Sequence, residues 1–360
     1  MRDIDFNYIL LRNGNEFGKI WPAQDAAPVV RMNEEGDIKS SLSGEFLPTV
    51  FDFEGRPMPG VEIDWLSDQI RPEMIIDGVV HPVGVFLPAT IQKAEDIDGT
   101  GLQVLHVEAY DRCWIVRDCV TTASQYFAAG VSYISAVLQL LADAGIALAS
   151  AVSSSEVLAE AREDWNLGTS LLTIVNQLLS EINYKPLWFN SYGVAVLEPA
   201  FTPTAINVTK TIDATDPEAL VIPGITKQTD VYSAPNVFLC ICSNADKDAP
   251  LIATGENANP QSPLSIQRRG RRIMRVVQVD NIASQNELQA YADRLVDESL
   301  TTGETITVTT GLLPGFGVDD VVSLRYGETF DICIERGWTM ELRAGGKMTH
   351  ILEKVVVNLG

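Results

Sequence analysis

Histidine is scarce in this chain: three in 360 residues, at His81, His106 and His350. They stand far apart, so the short-spaced pairs that hold a metal ion on one helix are missing. No Gly-x-Ser-x-Gly elbow occurs, which removes the commonest hydrolase signature. Gly315-Phe316-Gly317 is a lone Gly-x-Gly with no helical pattern after it. It reads as a turn entering a strand rather than a phosphate loop. Positive charge is also short. Lys and Arg total 26 against 48 Asp and Glu, a formal net charge of −22. The first 110 residues alone hold 19 acids and 8 bases. Such a surface repels nucleic acid and anionic lipid instead of gripping them.

Five cysteines, an odd number, argue against a disulfide framework and for a reducing compartment. Met1-Arg2-Asp3-Ile4-Asp5 lacks the basic and then apolar run of a secretory leader. Long hydrophobic runs are nearly absent. The most lipid-like window, Ala123 to Val152, carries Asp143 as its only formal charge, but Gly130, Gly145 and four serines interrupt it. It reads as a buried amphipathic helix followed by a small-residue linker, not as a membrane span.

What is present is ordinary folded composition, 46% hydrophobic and 21% charged, in a chain long enough for two to four domains. A helical block, roughly Ser132 to Ile182, sits between two long stretches of β character. In the first, Tyr8-Ile9-Leu10-Leu11 runs into Asn13-Gly14, and Met74-Ile75-Ile76 runs into Asp77-Gly78 and Val79-Val80, both hairpin signals. Val61 to Trp65 and Leu102 to Ala109 alternate as strands do. In the block, Ile134, Val137, Leu138, Leu141 and Ala144 share a helix face that Gly145 caps. A short polar helix is expected over Glu156 to Arg162. A second strong helix runs from Thr169, as N-cap, to Ile182, and a hairpin of Leu187 to Phe189 with Val194 to Leu197 follows. After residue 206 the β character returns. Asn236 to Cys242 is almost wholly apolar. Residues 244–280 are loop-rich, and Ser284 with Glu287 forms a capping box for a helix. Strands follow at Glu304 to Thr309, Val321 to Arg325, Asp331 to Ile334, Thr339 to Leu342 and His350 to Val357.

Candidate chemistry is thin. Asp96-Ile97-Asp98-Gly99-Thr100-Gly101 opens like an EF-hand loop, but Val107 stands where the twelfth-position Glu belongs, so a solvated turn is the better account. Cys113 and Cys119 lie close to Arg112 and Arg117, which can lower a thiol pKa. His106 is the nearest base, and no third orienting group is evident. A zinc site from Cys113, Cys119 and a distant thiol matches no known spacing. Cys240 and Cys242 share a strand face and read as buried free thiols rather than a bridge. No catalytic, metal or cofactor residue is assigned. Arg268, Arg269, Arg271, Arg272 and Arg275 form the one basic cluster. Without interleaved aromatics it reads as a subunit contact to acidic surfaces, with a solvated local network as the plain alternative.

The order of these segments resembles the hub proteins of bacteriophage tail tips and baseplates, including those of prophage tail-like particles. The resemblance is carried by Met74 to Pro88, Asn183-Tyr184-Lys185-Pro186-Leu187-Trp188-Phe189, Ala234-Pro235-Asn236-Val237, Ala290 to Ser299, Gly311 to Leu324 and Met348 to Leu352. It spans nearly the whole chain, though no single motif is diagnostic. It implies a β-dominated α+β protein with two tail-tube-like β-barrels per chain. These would be residues 1–118, then 203–243 with 281–360, separated by a helix-helix-hairpin module at 119–202 and the loop-rich insertion at 244–280. The implied function is structural and non-enzymatic: a homotrimer whose six barrels continue the tail tube, located in the virion after synthesis in the bacterial host cytoplasm. Implied partners are a distal tail or tail-tube protein above and a spike or fibre-bearing protein below, with a tape-measure protein as a further candidate. An acidic channel that repels DNA would use the charge, with Asp64, Asp68 and Asp96 as candidate wall residues. The competing classes are a carbohydrate-binding adhesin, which needs an aromatic platform, and a cell-wall hydrolase, which needs converging acid and base groups.

Overall fold

Asn-Gly and Asp-Gly dipeptides set the first turns. Asn13 and Gly14 (φ 51° and 77°), and Asp77 and Gly78 (φ 48° and 83°), occupy the left-handed region that a tight hairpin demands. The computed structural model describes residues 2–94, 103–163, 165–201, 207–217, 220–229, 234–242, 250–279, 282, 284–299 and 301–355. The EF-hand-like stretch and Asp96 lie outside these residues.

The first eight strands are β1 (Ile4–Arg12), β2 (Asn15–Lys19), β3 (Val29–Asn33), β4 (Ser40–Phe46), β5 (Gln69–Ile76), β6 (Val79–Pro82), β7 (Phe86–Ala94) and β8 (Val104–Asp111). Alternation is clearest in β8, where Leu105, Val107, Ala109 and Asp111 are buried and the residues between them are not. Val61 to Trp65, expected as a strand, is not one. Asp64 and Asp68 fold this segment into a turn: the Asp64 and Leu66 amides donate to Asp68 and Asp64, and the Ser67 hydroxyl donates to Asp64.

Next come α1 (Cys113–Asp118), α2 (Tyr133–Asp143), β9 (Ala149–Ala151), α3 (Leu171–Glu181), β10 (Trp188–Phe189) and β11 (Ala195–Leu197). They share one core, in which Val116, Val137, Leu140, Ile174, Leu178 and Leu187 are buried. Gly145, at φ 78°, follows the C-cap of α2. The N-cap of α3 is Ser170, whose hydroxyl accepts from the Leu172 amide, while the Thr169 hydroxyl donates to the Asn166 carbonyl. Glu156 to Arg162 is extended, not helical. The Leu158 amide donates to the Val131 carbonyl and its carbonyl accepts from Gly130, while Arg162 exchanges backbone bonds with Phe127, which buries Leu158 and delivers the Arg162 guanidinium to Glu181 at 2.9 Å.

The remaining elements are β12 (Lys210–Asp213), β13 (Ile222–Thr229), β14 (Val237–Cys242), β15 (Leu251–Glu256), α4 (Ile266–Arg269), β16 (Met274–Val279), α5 (Gln285–Ser299), β17 (Thr301–Thr310), β18 (Val321–Tyr326), β19 (Thr329–Glu341) and β20 (Met348–Val355). Residues 250–279 hold more regular structure than their Pro and Asn content suggests. β14, expected in the second barrel, is the centre of a separate sheet in the order β15-β14-β16. α5 covers one face of that sheet through Leu288 and Ala292. Gly255 permits the close approach, because a Cβ there would stand 2.5 Å from the Ala292 carbonyl oxygen. The Ser284 hydroxyl accepts from the Glu287 amide, and the Glu287 carboxylate also accepts from Asn183, tying α5 to the helical module. Asp331–Ile334 and Thr339–Leu342, expected as two strands, fall in the single strand β19 except for Leu342, which lies just past its end; β19 continues through an irregularity between Glu335 and Gly337.

The large sheet runs β13-β17-β20-β19-β3-β4-β8-β7-β5-β1-β2, with β18 beside β19, β12 beside β18 and β6 beside β5. Its two halves have one plan. The order β3-β4-β8-β7-β5-β1 of the first half matches β13-β17-β20-β19-β18-β12 of the second. Each neighbouring pair is antiparallel in both halves except the last, where β1 and β5 are antiparallel but β12 and β18 are parallel. The irregularities coincide as well: β7 shifts register between Pro88 and Thr90, and β19 does so between Glu335 and Gly337. The chain therefore contains two copies of one barrel-like sheet, joined where β3 pairs with β19.

Candidate assembly interface

The joint between the two halves is built from alternation on both edges. β3 and β19 pair antiparallel, with Met32 opposite Trp338 and Val30 opposite Met340. All four side chains are buried in the first half's core, which also takes Leu312, Leu342 and Met348 from the second half. The first core is therefore completed by residues from the far end of the chain. Gly337 is needed here, since a Cβ would lie 2.9 Å from the Met32 carbonyl oxygen. The extra residue in β19, Arg336, leaves the ladder and locks the joint electrostatically. Its guanidinium reaches Glu353 at 2.7 Å, Asp319 at 3.1 Å and Glu34, on the β3 side, at 3.5 Å. Lys185 of the helical module also reaches Asp319, at 3.7 Å, and Glu198 at 3.0 Å. A cavity of about 90 Å³ lies among Glu34, Lys185, Phe201, Arg294, Asp319 and Arg336. Its carboxylates at Glu34 and Asp319 are already paired with Arg336.

The arginine cluster lies elsewhere, on the small sheet. Arg268 and Arg269 sit on α4, Gly270 caps it at φ 63°, and Arg275 lies on β16. Arg269 donates to the Ala234 carbonyl oxygen, and Arg272 pairs with Glu256. Arg268, Arg271, Arg272 and Arg275 are exposed, beside the exposed Met274, Val276 and Ile252.

The acid candidates for a channel wall separate. Asp64 is exposed, but Asp68 is 1% exposed and held by Arg12 through two bonds of 2.6 and 2.8 Å. Asp68 is thus a structural anchor and presents no free charge.

The structure also brings together a group that spacing conceals. His350 Nδ1 lies 2.7 Å from Glu335, and Nε2 lies 3.2 Å from the Thr310 hydroxyl. Burial raises the Glu335 carboxyl above its ordinary value, against the opposing pull of His350. This acid-His-hydroxyl row imitates a nucleophile triad, but all three residues have 0% exposure and Phe316 packs on the imidazole. No substrate reaches it, and its role is to fasten β17, β19 and β20. The signal was available only as three polar residues in strands that turn out to be adjacent.

The thiols behave differently from the sequence expectation. Burial pushes the Cys113 thiol up, not down. Arg112 is spent on Gln69 and the Gly193 carbonyl, and Arg117 stacks on Trp114. None of the five cysteines is in a disulfide, and Cys240 and Cys242 are buried under α5. His106 is half-buried on β8, with Glu108 at 3.9 Å. Among the described residues no cluster of His, Cys, Asp or Glu could hold a metal ion, and no helix is long and apolar enough to cross a membrane.

The overall fold recurs in solved structures over essentially full length. A tail protein from Neisseria meningitidis MC58 aligns with TM-score 0.63 and 15% identity over 97% of this chain and 96% of its own. The 43 kDa tail protein of prophage MuSo2 from Shewanella oneidensis gives 0.63 and 11% over 98% of each. The chain has the phage tail-protein fold. A component of the Escherichia coli type VI secretion system, itself structurally similar to the T4 bacteriophage tail proteins gp27 and gp5, shares the tail-protein fold at TM-score 0.51 and 9% identity, over 94% of this chain and 76% of its own. No protein-family profile and no curated protein sequence matches the chain. The tail-protein fold is thus kept where sequence identity is low, as expected when pattern and topology, not individual side chains, specify the architecture.

Proposed function

We propose that the chain is a structural hub of a phage or phage-like tail tip, located in the virion and without catalytic activity. The observation that carries this is the internal repeat: two sheets of one plan, joined edge to edge in one chain, within a fold shared end to end with tail proteins. A head-to-tail joint of this kind propagates around a ring when its rotation closes. Three chains would supply six such sheets and continue a six-fold tube. The distal tail or tail-tube protein and the tape-measure protein would meet the ring from above, and a spike or fibre-bearing protein from below. The exposed arginines at 268, 271, 272 and 275, with Met274 and Val276 beside them, would contact an acidic surface of a neighbouring copy. The net charge of −22 would keep a lumen unattractive to DNA phosphates.

The test is the mass of the purified protein in solution together with a low-resolution image. The expected result is a ring with the mass of three 39.3 kDa chains. A protein that remains monomeric at high concentration and in the presence of its tail-tip neighbours would remove the reading. Glycan cleavage or monomeric glycan binding would replace it with the hydrolase or adhesin class.

A further inference from the structure

The repeat has one joint inside the chain and leaves the parts of a second joint open. β3 of the first half pairs with the outer part of β19 in the second. The strand equivalent to β3 is β13, and the strand equivalent to β19 is β7. Among the described residues β13 pairs only with β17, and β7 meets β5 at one residue pair, Ile70 with Phe86. Beyond Phe86 its outer edge has no strand partner among the described residues. Exposure follows the same contrast. Val30, Met32, Trp338 and Met340 are at most 5% exposed, while Thr226 to Thr229 and Ala89 to Lys93 are all exposed, with Ile91 at 37%. Two unpaired edges of this length invite pairing with another chain.

We propose that β13 of one copy pairs antiparallel with the outer part of β7 of the next copy, reproducing between chains the joint that β3 and β19 make within one. This deepens the hub reading and rests on it. The coincident irregularities fix the register. Ile91 stands where Trp338 does, Gln92 where Thr339 does and Lys93 where Met340 does. Through the matched ladders of β4 with β8 and β17 with β20, Met32, Arg31 and Val30 correspond to Thr229, Gln228 and Lys227. Ile91 is therefore opposite Thr229, Gln92 opposite Gln228, and Lys93 opposite Lys227. Thr90 takes the place of Gly337, where a Cβ presses on the facing backbone, so pairing begins one residue later, at Ile91. Lys227 is held by Glu304 at 2.9 Å and Asp331 at 3.5 Å, and Asp331 also by Lys354 at 2.6 Å, so these carboxylates are already balanced and the facing Lys93 weakens the joint at this pair. Ala89, at the position of Arg336, supplies no ionic lock. The joint between chains should accordingly be weaker than the one within the chain.

Cysteines at two facing positions test the register. Facing Cα atoms in an antiparallel pair lie about 4.5–5.5 Å apart, within the range a disulfide spans. Oxidation of the Gln92→Cys/Gln228→Cys double variant should give covalent multimers ending at a closed three-chain species on a non-reducing gel, and neither single variant should. Ile91→Asp should leave the far-ultraviolet circular dichroism of the dilute single chain unchanged and weaken association at least tenfold by sedimentation. An oligomer that assembles without cross-linking at 92 and 228, or whose association ignores Ile91→Asp, overturns this joint and leaves the hub reading standing. A chain that neither associates nor cross-links at high concentration overturns both.

Discussion

Asp111 shows how one side chain ties three segments. Its two oxygens accept from the Ser40 amide at 2.6 Å and the Cys113 amide at 2.8 Å, joining β4, the end of β8 and the start of α1. Burial pushes its carboxyl up to about 6, and the two amide donors only partly oppose this. The folded state therefore holds this proton more tightly than the unfolded chain does. The contribution of this group to stability is largest below pH 4 and falls as the pH rises to about 6, by roughly 2–3 kcal/mol. Asp111→Asn removes that slope and turns one acceptor into a donor facing an amide. We expect the variant to be less stable by about 1–3 kcal/mol at pH 5, and its urea midpoint to change less between pH 4 and 6 than that of the native protein.

At the scale of elements, the helical module depends on a buried ion pair. Arg162 and Glu181 are 7% and 1% exposed, and Arg162 also lies over the Trp165 ring. The pair fastens an extended segment to the last turn of α3. Glu181→Ala strands a buried guanidinium and should cost about 3–5 kcal/mol, whereas Arg162→Met/Glu181→Leu should recover most of the loss. Denaturant unfolding followed by far-ultraviolet circular dichroism reads both. This pair also marks the limit of what the sequence shows. The face of α3 and the turns at Asn13-Gly14 and Asp77-Gly78 are local patterns, and they were legible; the face of α2 was legible except at Leu138, which is exposed while Leu140, one position off the expected stripe, is buried. Glu156 to Arg162 looked helical because its polar residues suit a helix, but its backbone is claimed by Val131 and Phe127. β14 was legible as a strand, yet not its sheet, because its parallel partner β16 lies beyond an intervening strand and helix. Arg336 and Gly337 looked like a break between strands, and only the facing strands show them to be an irregularity within one. The row Thr310, Glu335 and His350 was invisible for the same reason.

At the scale of the whole molecule, the joint predicts an effect at a distance. Trp338 belongs to the last strands of the chain, but its side chain is part of the first core. Trp338→Ala should cost about 3–5 kcal/mol, and hydrogen exchange should show the loss in β3 and β4 as well as in β19. Protection that falls only in the second half would mean that the two cores are independent. The two barrels themselves were legible as two β-rich stretches of similar length. That they share one plan was not, since the equivalence lies in strand order and register and not in residue identity.

The crossing of β19 into the first core also has a consequence in time. β8 ends at Asp111, and Trp338 and Met340 are synthesised more than two hundred residues later. At roughly 5–20 residues per second, the first barrel waits about 10–45 s on the ribosome before its core can close. Until then β3 has no β19 to cover it. A truncated product would therefore be recognisable by its unfinished first half, and only a chain translated through Met348 could complete the first core.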